Sequence, residues 1–286
     1  MKKIIVPVDF SEESRNGLDL AIKVANHMKA SVEMVHVIKE SNEFFLAAEK
    51  EHRKQAENSF KKVLEEFQDQ VKEGNELTYV IHKGRIHHEI VNHAKYNSAD
   101  MIIGSTHGAS GFEEFFIGSN AHRVIASSKI PTMFIRHGVA PRNFNRILLP
   151  IDDTIETRQK VPFTTELAKS FDAEIIIQSI SLTDDPQITN RVRAYTDQVI
   201  EYMEEENVKY QIGEAQGDIV KNILESARKY DVDLIASMAE EERTMSSFDL
   251  GGNVMELLRK ANVPLLCIHQ QKYFHKYDIF RTPSST

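Results

Sequence analysis

The sequence predicts an α/β chain in which one strand-and-helix unit occurs twice, and three observations carry that prediction. Short apolar runs alternate with longer stretches whose apolar residues recur at helical spacing, the pattern of a parallel sheet with helices on both faces. The run Ile4-Ile5-Val6-Pro7-Val8-Asp9 returns as Ile147-Leu148-Leu149-Pro150-Ile151-Asp152, at an offset of 143 that Ala25/Ala168 and Ala30/Ala173 share. Further on, Gly84/Gly217, Asp100/Asp233, Gly118/Gly251 and Pro131/Pro264 all share an offset of 133. The second copy is therefore 10 residues shorter, most simply in its long helix and the turns around it. A repeat of this length is a duplicated domain and not a solenoid.

Each element has its own signal. Residues 3–8 read as a buried strand, and Ser11 caps the helix that follows, with Glu12 and Glu13 in its first turn and Leu18, Ala21, Ile22 and Ala25 on one face. Ser31 to Ile38 is the second strand. A long helix from about Asn42 to Lys72 carries Phe60, Val63, Leu64, Phe67 and Val71 as a core-facing stripe. Leu77 to His82 is the third strand, and Gly84-Arg85 turns into a helix with Ile86, Ile90, Val91 and Ala94. Met101 to Gly104 reads as the fourth strand and Ile130 to Ile135 as the fifth, with one helix between them. The polar, Gly- and Pro-containing segment His137 to Asn145 is the linker, after which the order restarts at Arg146.

Composition narrows the function classes. With 286 residues and 41% hydrophobic content, two ordinary domains with cores are expected. A net charge of −8 argues against nonspecific binding to nucleic acid or anionic membranes. The lone Cys267 sits in an apolar run and reads as a buried thiol, compatible with a reducing compartment. The start of the chain has too short an apolar stretch for a signal peptide and no later run approaches a membrane span, so a cytoplasmic location is expected.

The chemistry is expected in the stretch Ser105 to Ser119, between the fourth strand and the next helix. A loop with Gly108 and Gly111, closed by Gly118-Ser119 at a helix start, can aim backbone N–H groups at an anion, and the helix dipole favours negative charge there. Glycine spacing alone fits a surface loop with an ordinary Ser cap at Ser119 equally well. Open α/β sheets nonetheless bind ligands at this end of their strands.

On these residues the chain resembles the universal stress protein family, whose fingerprint is Gly, two residues, Gly, nine residues, Gly, then Ser or Thr. Here Ser105 stands in place of the first glycine, followed by Thr106-His107, Gly108, nine residues, Gly118 and Ser119. Gly104, next to Ser105, is expected to supply the missing backbone freedom. The resemblance covers nearly the whole chain twice. It implies two tandem doubly wound five-stranded parallel-sheet domains with strand order 3-2-1-4-5, at 1–138 and 144–270, followed by a C-terminal tail at 271–286. The aromatic tail is expected to pack in part on a domain or a neighbour, with its last residues disordered.

The family further implies a cytoplasmic ATP-binding regulator of the stress response, with ATP, and Mg²⁺ through it, as the ligand. The implied site residues are Pro7, Val8, Asp9, Val37, Gly104, Ser105, His107, Gly108, Gly118, Ser119 and Asn120. Asp9 would approach the sugar or the metal, with a turn cap for the helix near Ser11 as its plain alternative. Val37 matches a base-contacting position. Gly108, Gly118, Ser119, Asn120 and His107 surround the phosphates. Arg85, after the third strand, is a candidate to reach the same mouth, with a surface salt bridge as the plainer expectation. His87, His88 and His93 share a helix, but the separation of five between His88 and His93 is not that of paired metal ligands. The chain has neither a Walker-type phosphate loop nor a nucleophile elbow, so any ATP hydrolysis is expected to be slow.

The second half departs from the fingerprint. Gly104, Ser105, Gly108 and Gly111 become Ser237, Met238, Glu241 and Thr244, with acid at Glu240, Glu241 and Glu242, so one nucleotide site per chain is expected, in the first domain. The two domains are expected to pair within the chain through their last strands, and the chain to dimerise. The alternatives are a nucleotide-free interaction scaffold and a slow ATPase. No nucleic-acid, membrane or named protein partner is implied.

Overall fold

Every strand in the two halves finds its neighbours at the same residue-for-residue register. The computed structural model describes residues 2–39, 46–106, 117–239, 241–244, 247–250 and 252–270, of which 46–48, 241–244 and 247–250 are described as backbone only. Two compact units result, residues 1–142 with 241–250 and residues 143–240 with 251–286. His107, Gly108, Glu240, Gly251 and the tail lie outside the described residues, as do the side chains of Glu241 and Glu242.

The first unit runs β1 (Lys2–Pro7), α1 (Glu12–Met28), β2 (Ala30–Lys39), α2 (Leu46–Phe67), β3 (Leu77–Gly84), α3 (Ile86–Tyr96), β4 (Met101–Ser105), α4 (Ser119–Ser127) and β5 (Thr132–Ile135). Its five strands are all parallel and lie in the order β3-β2-β1-β4-β5. The second unit runs β6 (Arg146–Ile151), a 3-10 turn at Ile155–Lys160, α5 (Val161–Phe171), β7 (Glu174–Ser181), α6 (Pro186–Glu205), β8 (Tyr210–Gln216), α7 (Ile219–Lys229) and β9 (Leu234–Ala239). The chain then forms an antiparallel hairpin of β10 (Glu241–Thr244) and β11 (Ser247–Leu250), which belongs to the first unit, and the second unit closes with α8 (Gly252–Lys260) and β12 (Leu265–His269). Its parallel order β8-β7-β6-β9-β12 is the same topology.

The registers show how closely the repeat is kept. Ile4 pairs with Val32 and Met101 in the first unit, and Ile147 with Ile175 and Leu234 in the second. Val32 pairs with Leu77, and Ile175 with Tyr210. Ile102 pairs with Thr132, and Ile235 with Leu265. All of these pairs are related by the two offsets read from the sequence.

Local chemistry explains the element ends. Ser11 caps α1 by accepting from the Ser14 N–H at 3.1 Å, and Lys29 closes it at φ 54°, donating to the Ala25 carbonyl. The left-handed closure recurs at Asp172, φ 52°, after α5. The carboxylate of Asp100 accepts from the Lys3 N–H at 2.8 Å, and Asp233 accepts from Asn145 N–H at 2.8 Å and Arg146 N–H at 3.2 Å. These paired aspartates pin the first strand of each unit. The central strands are buried on both faces, as Ile4, Ile5, Val6 and Ile147, Leu148, Leu149 show, and Cys267 is a buried free thiol. The long helix is described from Leu46 and gives way at Phe67 to a 3-10 turn over Gln68–Gln70, short of the expected end at Lys72, while Phe60, Val63 and Phe67 are buried.

Pro7 marks where the sheet opens. It has no N–H to donate, and the β1 to β4 register ends at Ile5–Ile102, two residues before it, while β1 stays paired with β2 through Val35. The two central strands therefore part at the carboxyl end of β1. That opening is the switch point at which such sheets take ligands.

Candidate functional site

A cavity of about 160 Å³ occupies this opening in the first unit. It is lined from β1 and its end by Pro7, Val8 and Asp9, from β2 by Val35, His36 and Val37, and from α3 by Ile86 and Ile90. From β4 and α4 come Gly104, Ser105, Thr106, Gly118, Ser119 and Asn120, with Ser14 and Phe134 behind. Pro7, Val8, Asp9, Val37, Gly104, Ser105, Gly118, Ser119 and Asn120 all line this one cavity. Its inner wall is apolar, since Val8, Val37, Ile90 and Phe134 are buried, and its rim is polar, with Asp9 and Ser119 exposed. That is the division expected for a flat apolar ring inside and charged groups at the mouth.

Asp9 does what its plainer reading said, at least with one oxygen. Its Oδ1 accepts from the Ser11 N–H at 3.1 Å and from the Ser11 hydroxyl at 2.5 Å, which orients the carboxylate at the crevice. The next residue, Phe10, has φ 67°, a backbone region that costs a bulky side chain energy. Its ring is held 4.7 Å from that of His36 and 4.9 Å edge-on from Phe60, which in turn stacks on Tyr79 at 4.2 Å. His36 Nδ1 lies 2.8 Å from the Val8 carbonyl. A carbonyl only accepts, so Nδ1 carries the proton and donates.

The two described glycines of the crevice, Gly104 and Gly118, act by space and not by left-handed backbone. Gly104 is not among the residues with positive φ, which corrects the expectation that it lends Ser105 backbone freedom. A Cβ on Gly104 would stand 3.0 Å from the Phe134 ring. Ser105 likewise has no positive φ, so a side chain there carries no backbone strain. Gly118 sits at φ −57° as the cap of α4, and its N–H donates to the Thr106 carbonyl at 2.8 Å. A Cβ on Gly118 would approach that same carbonyl to 3.2 Å. Since Gly118 is the cap, Ser119 is the first helical residue and its hydroxyl is not used in capping, contrary to the plain reading of a Ser cap. The N–H groups of Ser119, Asn120 and Ala121 have no helical carbonyl behind them, as at any helix start, and face the mouth.

Four contributors were not evident in the sequence. Thr106 is fully buried and ties the base of the loop on both sides, donating its N–H to Ile135 and accepting from Gly118. Ser14, His36 and Phe134 line the cavity without any motif to announce them. Gly17, inside α1, is a fifth position of consequence: its missing Cβ would lie 3.0 Å from both Gly104 C and Ser105 N. Only glycine lets α1 rest this close on the end of β4.

The second unit shows what happens without it. The counterpart of Gly17 is Lys160, and the segment matching the start of α1 is the 3-10 turn Ile155–Lys160, so α5 begins only at Val161. Lys160 is 2% exposed, and its ammonium donates to the Thr157 carbonyl at 2.7 Å and hydroxyl at 3.1 Å. Thr157 is the counterpart of Ser14, which lines the cavity in the first unit. The Asp9 turn survives, with Asp152 accepting from the Thr154 N–H at 2.8 Å.

His93 of α3 is engaged within the protein. His93 Nε2 lies 2.8 Å from Glu33 Oε2 and its Nδ1 lies 2.9 Å from His82 Nε2, while Lys3 reaches the same carboxylate at 3.3 Å. Among the described residues no group of three or more His, Cys, Asp or Glu is disposed to hold a metal ion. No helix among them is long and apolar enough to cross a membrane.

The sequence model of the universal stress protein family matches twice, over residues 1–136 and 143–269. Universal stress protein YxiE of Bacillus subtilis is 29% identical over 145 residues, which covers 47% of this chain and 98% of that protein. Universal stress protein MJ0531 of Methanocaldococcus jannaschii is 30% identical over 145 residues, covering 47% of this chain and 82% of its own. Among solved structures, a universal stress protein from Archaeoglobus fulgidus aligns with a TM-score of 0.75 over 93% of this chain and 98% of its own, at 18% identity. That last likeness is one of fold.

Proposed function

Since the chain belongs to the universal stress protein family, both halves lying within the match, we propose that it is a cytoplasmic, dimerising regulatory protein of the stress response. It binds one ATP, in the first unit. The observation that carries this reading is the contrast at one position: glycine at 17 lets α1 rest on the end of β4 beside the crevice, whereas its counterpart is the buried Lys160, whose ammonium is bonded to Thr157, the counterpart of the crevice-lining Ser14. The residues present suit the ligand. An apolar interior takes the base between Val37 and Ile90, and the helix start at Ser119 and Asn120 takes phosphate oxygens. Asp9 takes the ribose hydroxyls or a Mg²⁺ carried by the nucleotide. His107 and Gly108 would complete the phosphate loop.

Nothing in the described cavity is an activated nucleophile, so the protein reads the nucleotide and does not turn it over at an enzyme's pace. Calorimetric titration with Mg-ATP tests the assignment. The wild type should bind with a stoichiometry near one. Gly118→Val, which drives a branched side chain against the Thr106 carbonyl, should abolish binding, and Gly251→Val should leave it intact. Two equivalent sites, or binding that survives the first change and not the second, would overturn the reading.

A further inference from the structure

The helix that walls the crevice is held to the sheet by a chain of three side chains. His93 of α3 stands between Glu33 of β2 and His82 of β3: its Nε2 is 2.8 Å from Glu33 Oε2, and its Nδ1 is 2.9 Å from His82 Nε2. The His93 side chain is 9% exposed and that of Glu33 18%, so the chain lies mostly out of water. Helical spacing places His93 on the same face of α3 as Ile86 and Ile90, which line the crevice. His82 is the register partner of Val37, which lines the crevice from the sheet.

The hydrogens in this chain are fixed by what each atom can do. A carboxylate only accepts, so Nε2 of His93 carries a hydrogen and donates it to Glu33. When the pair of rings is uncharged, Nδ1 of His93 is bare and His82 donates to it from Nε2. One added proton can be taken up at His82 Nδ1 while the hydrogen on His82 Nε2 passes to His93 Nδ1, which keeps the bond between the rings with its direction reversed. A second added proton has no such place, because N–H would then face N–H at 2.9 Å. The Asn97 amide nitrogen, 3.3 Å from the same Nδ1, is also a donor and offers no acceptor. The charged groups that face the pair are Lys3 of β1, Glu33 of β2 and Glu89 of α3, while Arg123 of α4 bears on His87. Burial first and the charge of His93 second lower the pKa of His82, against smaller opposing effects of Glu89 and Glu33.

We propose that Glu33, His93 and His82 form a proton-operated latch on α3: it holds the helix to β2 and β3 while the two rings share at most one added proton, and a second proton parts the rings and loosens the crevice wall formed by Ile86 and Ile90. The signal it reads is acidification. Its effect on nucleotide affinity rests on the nucleotide-binding reading above, and the latch itself does not.

The test follows hydrogen exchange of the α3 amides in the full chain without nucleotide, from about pH 7.5 to about pH 5, across the ordinary histidine value near 6.5, with the intrinsic exchange rate at each pH divided out. Once the second proton begins to bind, protection over 86–96 should fall about tenfold per pH unit, the slope for an opening that takes up one proton, and protection in α1 should fall less. In His82→Gln the side-chain amide can donate to Nδ1 of neutral His93 or accept from it when protonated, so α3 should keep its protection across the range. The ring-nitrogen resonances of the unaltered chain give a second readout: those of His82 and His93 should shift together, in two separate steps. Protection that ignores pH, an equal fall in His82→Gln, or rings that titrate without responding to each other would overturn the latch. Affinity for Mg-ATP should then fall about threefold or more further in the wild type than in His82→Gln between about pH 7.5 and 5.5, a comparison from which the ligand's own titration cancels. If the wild type binds no adenine nucleotide at either pH, the nucleotide reading fails and the exchange measurement still decides the latch. If wild type and variant lose affinity equally while α3 loosens only in the wild type, the coupling to the crevice is overturned.

Discussion

Replacing Gly17 by Ala is the smallest change that tests whether the crevice depends on close approach. The added methyl would stand 3.0 Å from two backbone atoms, Gly104 C and Ser105 N, neither of which can swing aside as a side-chain end could. Restoring ordinary contact requires α1 and the end of β4 to separate by roughly half an ångström. Overpacking of this kind costs about 1 to 3 kcal/mol. Against it, Ala in place of Gly within a helix gains about 1 kcal/mol. The balance is a net loss of up to about 2 kcal/mol, or a fall of roughly 2 to 4 °C in melting temperature for each kcal/mol. The assay is thermal unfolding with and without Mg-ATP. The ligand-induced rise in melting temperature should shrink as well, because Ser105 N moves with β4. A variant that melts higher than the wild type and still responds fully to Mg-ATP would show that helix propensity outweighs the contact, and that Gly17 does not shape the site.

Two further outcomes follow from other contacts. Burial raises the Glu33 carboxyl's pKa, but the bonds from His93 and Lys3 outweigh it and leave it lowered, while burial and then the charge of His93 lower that of His82. Both groups therefore bind protons more readily unfolded than folded, and their stability is present above the unfolded values, about 6.5 for His and about 4.3 for Glu, and lost as pH falls. Unfolding midpoints should drop between about pH 7.5 and 5.5, and His82→Gln should flatten that interval; an unchanged slope in the variant would refute the assignment. Phe10→Gly relieves about 1 to 2 kcal/mol of left-handed strain but removes the ring that packs on His36 and Phe60, so denaturant titration should show a net loss of about 1 kcal/mol or more, with weaker Mg-ATP binding because His36, which lines the cavity, loses its ring contact. A Phe10→Gly protein with wild-type stability and affinity would mean that the aromatic cluster carries no load for the site.

The parts of this architecture that were legible in the sequence are those governed by period and offset. Pro7 and Pro150 announce the duplication because a proline is tolerated in a central strand only where the ladder opens, and the apolar runs around them are uninterrupted because both faces are buried. Ser11 is a local capping signal and was readable as such. Gly17 was not, since a helical glycine looks like a propensity defect until the strand it touches is known. Thr106 reads as one more polar loop residue, yet it is fully buried by partners 29 and 12 positions away, Ile135 and Gly118. The role of Gly104 was misjudged for the same reason: the sequence suggests backbone freedom, and the fold shows a ring in the way. Lys160 was passed over because a lysine in an exposed-looking segment is normally solvated.

The equality of registers across the two units has a consequence for how such a protein can change. In an assembly of identical single-domain subunits, a mutation like glycine to lysine at the helix entry would strike every site at once. Here each copy is written separately, so one can abandon its ligand while its strands keep their partners to the residue. On the proposed one-site reading, the stoichiometry of binding to non-binding copies is set at one to one by the covalent chain. It no longer depends on concentration, exchange of subunits or chance pairing. A copy that binds no nucleotide is free to carry a buried side chain such as Lys160 at the position where the other copy keeps Gly17 against the end of β4.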